Sequence, residues 1–154
     1  MKKLYLILFP LSAIFLSFPS SAQQPDTQTE SNVMHDPATG VTLRTDSKNY
    51  YVGGCLAMLS HEKERTGSIN QGNTTKDQDA WIRNESKKGR AIAEKIGSSP
   101  NLFETVKNRK LTKAEAEWFV GFTIYRQAAG KNDLASNALI KMNLCEKSGY
   151  QKPL

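Results

Sequence analysis

Only two cysteines and two histidines occur in 154 residues, and that scarcity removes several chemistries at once. A zinc site draws on several Cys, His or carboxylate ligands at short spacing, and neither His35 nor His61 sits in such a pattern. His61-Glu62 lacks the second histidine of the zinc-protease helix, so His61 is expected in a C-terminal turn, where it favours the helix dipole. A redox-active dithiol needs Cys-x-x-Cys, and Cys55 and Cys145 are far apart. The Gly-x-Ser-x-Gly elbow is missing, as is any glycine-rich phosphate loop opening a helix. Ser60 and His61 are neighbours, which on a helix point about 100° apart and cannot pair. The carboxylate pairs Glu62/Glu64, Asp77/Asp79 and Glu115/Glu117 are spaced i, i+2, on opposite helix sides, as solvated faces are. No catalytic residue, metal ligand or cofactor is assigned, and the expectation is a protein that is not an enzyme.

Long apolar runs are also lacking, with one exception. Lys2 and Lys3 precede an almost wholly apolar Leu4 to Phe18, and Ser20-Ser21-Ala22 offers small residues for a signal peptidase. This pattern reads as a secretory signal peptide over residues 1–22, too short and too soon followed by polar sequence to be a stop-transfer helix. Cleavage there takes 22 of the 154 residues and leaves 132, one ordinary domain. No cysteine stands at the start of the mature chain to carry a lipid anchor, so no membrane association is expected after processing. The compact signal points to a Gram-negative periplasm. A eukaryotic secretory route is the alternative, and only then would the sequons at Asn73 and Asn84 have meaning.

Charge of one sign is in mild excess. The formal +6 falls by two, to +4, once Lys2 and Lys3 leave with the signal. No basic stripe interleaves with aromatics, so nucleic acid is not an expected partner. An acidic protein surface suits the field better, although ordinary solubility charge explains a value of this size equally well.

The mature chain divides into a polar stretch and a helical one. Residues 23–45 are rich in Gln, Thr, Ser, Asn, Asp and Pro, too poor in apolar surface to offset ordering, and are expected to form a flexible arm. Within it, His35 to Gly40 reads as a turn, and Val41 and Leu43 as a short extended contact. Residues 46–150 are expected to be all-α, a small bundle of four or five helices without strand alternation. The first is capped by Asp46 or Ser47, carries Tyr51, Val52, Cys55, Met58 and Leu59 on one stripe, and stops at Gly67. Gly53-Gly54 within it costs about 1 kcal/mol per residue against alanine, which the close approach of another helix would offset. The second runs from near Thr75 to about Ile96 and is thinly apolar, exposed or broken across Arg83 to Arg90.

Ser99-Pro100 reads as a cap with proline at the first helical position of a short third helix. Thr112 to Glu115 is a capping box. It opens a helix whose Trp118, Phe119, Phe122 and Tyr125 make it apolar nearly all round, as expected of the bundle centre or half of a homodimer interface. Asn132 or Asp133 caps the last helix, on which Leu134, Ala138, Met142 and Cys145 are expected to form one inward face.

Export and an even count favour a Cys55–Cys145 disulfide joining the first and last helices. Closing a loop of about 90 residues, it is worth roughly 4–5 kcal/mol in the chain-entropy model. Surface for binding is what remains. Trp81, with Arg83 and Lys87 beside it, is either an interface anchor of the kind that dominates hot spots or a core side chain. The polar loop Ser68 to Thr75, with Asn70 and Asn73, is a second candidate.

The signal peptide, the helical domain, Cys55-Leu56, and Met142-Asn143-Leu144-Cys145 followed by Tyr150 together resemble the small exported immunity proteins that neutralise type VI secretion amidases. The resemblance covers the two ends of the folded region, and Thr66 to Gly130 carries no motif that matches. It implies a periplasmic homodimer paired through the Trp118–Tyr125 helix, with a loop pushed into the active-site cleft of a peptidoglycan hydrolase. An envelope accessory protein (pilotin, assembly or exclusion factor) and a small periplasmic chaperone are the rival readings. A mean hydropathy of −0.53 gives the chaperone little support.

Overall fold

The computed structural model describes residues 32–99 and 101–150; the expected signal peptide and the first part of the expected arm lie outside them, as does Pro100. The described chain is mostly helical, with five α-helices and one two-stranded sheet: β1 (Val33–Asp36), β2 (Val41–Arg44), α1 (Lys48–Thr66), α2 (Lys76–Ile96), α3 (Leu102–Lys107), α4 (Lys113–Ala129) and α5 (Leu134–Ser148).

The hairpin corrects the expectation of a flexible arm up to residue 45. β1 and β2 pair antiparallel, Val33 opposite Arg44 and Asp36 opposite Val41. The turn residues supply the reason. Asp36 accepts hydrogen bonds from the backbone N–H groups of Ala38 and Thr39 and from the Thr39 hydroxyl, while Gly40 closes the turn at φ 72°. Thr39 and the neighbouring amides hold the Asp36 carboxyl below its usual value. Val41 and Leu43 are buried and alternate with less buried residues, as a strand covered on one face must. The Arg44 N–H donates to the buried Glu117 carboxylate at 2.8 Å, fastening the hairpin to α4.

The helix ends follow local chemistry. Ser47 caps α1 and Gly67 ends it in the left-handed conformation at φ 82°. Thr75 and Gln78 form a capping box on α2, Thr112 and Glu115 form one on α4, and Asp133 caps α5. The α3 cap is Asn101 rather than Ser99. Its amide oxygen reaches the N–H groups of both Phe103 and Glu104, and Ser99 instead accepts from Thr105. α2 runs unbroken through Arg83 to Arg90.

α1 and α4 together make the centre of the bundle. Val52 through Leu59 are all buried, because α1 is covered by α4 and α5 together. Two glycines interlock α1 with α4: a Cβ on Gly53 would stand 1.9 Å from the Trp118 carbonyl oxygen, and one on Gly121 2.1 Å from that of Tyr50. The helix backbones touch, and the close approach foreshadowed by Gly53-Gly54 is met. Gly54 faces the Tyr125 ring and Leu144.

On α4, Trp118 is 2% exposed, its indole N–H donating to Glu85 of α2 at 3.0 Å. The ring stacks on Phe122 at 5.3 Å and fills the space left by Gly89, where a Cβ would come within 2.6 Å. Phe119, Phe122 and Tyr125 are half-buried against the same core. These rings pack against the core of the same chain.

The inward face of α5 also differs from expectation. Leu144, Cys145 and Ser148 are buried, Asn137, Ile140 and Lys141 are half-buried, and Ala138 is exposed. Leu134 and Met142 stand 58% and 46% exposed. Polar side chains with partners take the inner edge: Asn137 donates to the Ala129 carbonyl, and Lys141 to Glu62. The disulfide Cys55–Cys145 joins α1 to α5, with Cα atoms 4.8 Å apart.

Candidate functional site

One end of the bundle gathers the C-terminal half of α1, the start of α2, the end of α5 and Tyr150 around the loop from Ser68 to Thr75. The loop makes one tight turn in which Asn70, Gln71 and Gly72 have φ of 51°, 56° and 82°. Glycine adopts this region freely and asparagine tolerates it, but for glutamine it costs about 1–2 kcal/mol. Such a conformation persists only where the surroundings over-determine it.

Those surroundings come from far along the chain. Glu62 on α1 accepts the Asn70 backbone N–H at 3.2 Å with one oxygen and the Lys141 ammonium at 2.8 Å with the other. The Asn70 side chain accepts from Lys141 at 3.4 Å and donates to the Tyr150 hydroxyl at 3.2 Å. On the far side, Thr74 donates to Asp79 at 2.8 Å, tying the loop to the first turn of α2. Backbone bonds from Gly72 to Ile69 and from Asn73 to Asn70 close the turn. Ile69 is buried beneath it, while Gln71, Gly72 and Asn73 face solvent. The loop is held, and its tip is free.

Tyr150 is the keystone. Its buried ring lies 5.1 Å from that of Trp81, and burial pushes its phenol above the ordinary value although Asn70 opposes this. It is protonated at neutral pH and serves as a hydrogen-bonding post. An open cleft of about 290 Å³ lies on one side, lined by Leu59, Asn70, Lys141 and Met142 among others. A second, of about 160 Å³, lies towards Asp77 and Trp81.

The sequence-derived candidates therefore separate. Asn70 belongs to the scaffold of the loop and Asn73 to its exposed tip. Trp81 is half-buried and packs against both parts of the core, so it supports the loop through Tyr150. Arg83 and Lys87 are exposed on α2 and make no ion pair among the described residues. Glu62, Lys141 and Tyr150 were not foreseen, since the bonds joining them to Asn70 span 8, 71 and 80 positions, beyond the reach of local pattern.

Glu62, Asp79, Lys141 and Tyr150 at this end each have a hydrogen-bonded partner, and the arrangement presents shape and hydrogen-bonding capacity. Among the described residues no group of three or more His, Cys, Asp or Glu is placed to hold a metal. Among the same residues, no helix is long and apolar enough to cross a membrane. No protein-family model, curated protein or solved structure matches the chain.

Proposed function

We propose that this is an exported protein that binds a partner protein through the Ser68–Thr75 loop, acting as a periplasmic immunity protein that occludes a cell-wall-degrading effector. It works by occupancy and performs no chemistry. The observation that carries the reading is the loop itself. Three successive left-handed residues begin at Asn70, which Glu62, Lys141 and Tyr150 hold by hydrogen bonds, and the tip is exposed. A loop already ordered before binding loses little conformational entropy on contact, which raises affinity without adding area. Rigid recognition loops on a fixed scaffold are the usual means by which one protein blocks another's cleft. The signal sequence supports an envelope address, and the disulfide suits an oxidising compartment.

The test is digestion of purified peptidoglycan sacculi by the wall hydrolase encoded beside this gene. An equimolar amount of the mature chain is expected to stop digestion. The double variant Gln71→Arg/Asn73→Arg, changed only at exposed positions, is expected to restore it while keeping the melting temperature. A neighbourhood without such a hydrolase, or digestion unaffected by the wild-type chain, contradicts the proposal.

A further inference from the structure

Of the large hydrophobic residues that stand exposed among those described, three of four lie on α5: Leu134 at 58%, Leu139 at 63% and Met142 at 46%. Ala135 and Ala138 are exposed between them, so the outer side of α5 is one apolar stripe along the helix. Single exposed hydrophobics are ordinary, but a contiguous stripe marks a surface that is covered by something.

We infer that a second copy of this chain covers it, α5 packing antiparallel on α5 about a two-fold axis that passes between Ala138 and Leu139. This does not rest on the loop reading above, although Ala138 and Met142 also line the cleft beside Asn70 and Tyr150. The sequence of the stripe is self-complementary about that point. Leu139 falls opposite the partner's Ala138, and Met142 opposite the partner's Ala135, so at the centre of the stripe a large side chain meets a small one and the helices approach closely, while Leu134 lies at its edge opposite the partner's Asn143. The ends match as well. Lys131, just ahead of α5, falls opposite the partner's Glu146 in the last turn. Both are exposed, and neither makes an ion pair among the described residues. The antiparallel arrangement also sets that lysine near the negative end of the partner's helix dipole. An isologous contact of this kind is the commonest symmetry among soluble oligomers.

Its size sets its strength. A helix of 15 residues is about 22 Å long, too short to bury by itself the roughly 800 Å² per partner of a standard interface. The dimer is therefore weak and concentration-dependent, with dissociation in the micromolar range.

Sedimentation equilibrium of the chain purified from the periplasmic fraction, from about 1 to about 500 µM, tests this. A reversible monomer–dimer equilibrium is expected. Leu139→Glu should weaken it by roughly tenfold or more with unchanged circular dichroism and melting temperature, since the side chain is exposed. Lys131→Glu should also weaken it, and the pair Lys131→Glu/Glu146→Lys should recover it. A monomer throughout the range overturns the inference. So does a dimer indifferent to Leu139→Glu, or one that the charge exchange fails to recover.

Discussion

Single atoms decide the core of this protein at its glycines. Gly53 and Gly121 stand where a Cβ would enter the facing backbone, and a backbone cannot turn aside as a side chain can. Gly53→Ala or Gly121→Ala should therefore cost about 3 kcal/mol or more, read as a drop in the urea midpoint at unchanged slope. A loss below about 1 kcal/mol would mean that the helices can part. Trp81→Ala should lower stability by roughly 3 kcal/mol, because the ring packs on Tyr150 and both parts of the core. An unchanged melting temperature would return Trp81 to the list of interface anchors. The sequence made Gly53-Gly54 conspicuous as a cost needing a reason. It did not reveal Gly121 as the counterpart, since a glycine within an apolar helix does not say which neighbour it admits.

Elements were legible where their signals are local. Ser47, Thr112 and Asp133 cap the helices they announce, and the turn at His35 to Gly40 is where its residues place it. Val41 and Leu43 were legible as a short extended contact and lie in β2, but their pairing with β1 went unread because four-residue alternation is brief, and the hairpin is fastened to α4 through Glu117. The face of α5 was misread for a related reason. Asn137 and Lys141 look like solvent residues until partners on α4 and α1 are known.

At this scale acid should weaken α5. Hydrogen bonds from Ser136 hold the Asp133 carboxyl below its usual value near 3.8. A depressed folded pKa contributes stability above the unfolded value and loses it as pH falls through the folded one. Melting temperature should accordingly fall as pH drops from about 4 towards 2, and less so in Asp133→Asn, whose amide still caps without titrating. A melting temperature that rises on acidification would contradict this.

The whole molecule is closed by one covalent link between its central and last helices. Replacing the pair, as Cys55→Ala/Cys145→Ala, should remove roughly 4–5 kcal/mol, a large share of the stability of a domain this size. Urea titration measures it, and a loss under about 1 kcal/mol would show that packing alone holds α5. The same link fixes α5 over α1, and with it the register of Lys141 and Glu62 beneath the loop. The all-helical architecture and this clasp could be read from the sequence. The loop scaffold could not, because its members meet only once the chain has folded.

Amide hydrogen exchange of the protein, free and mixed with a peptidoglycan hydrolase of the class proposed as its partner, puts the proposed function to the most direct trial. Slowing of exchange confined to the peptide covering residues 68–75 and the first turn of α2 is the expected footprint. Protection centred on Arg83 to Arg90 instead, or none at all, would contradict the assignment of the loop as the binding surface.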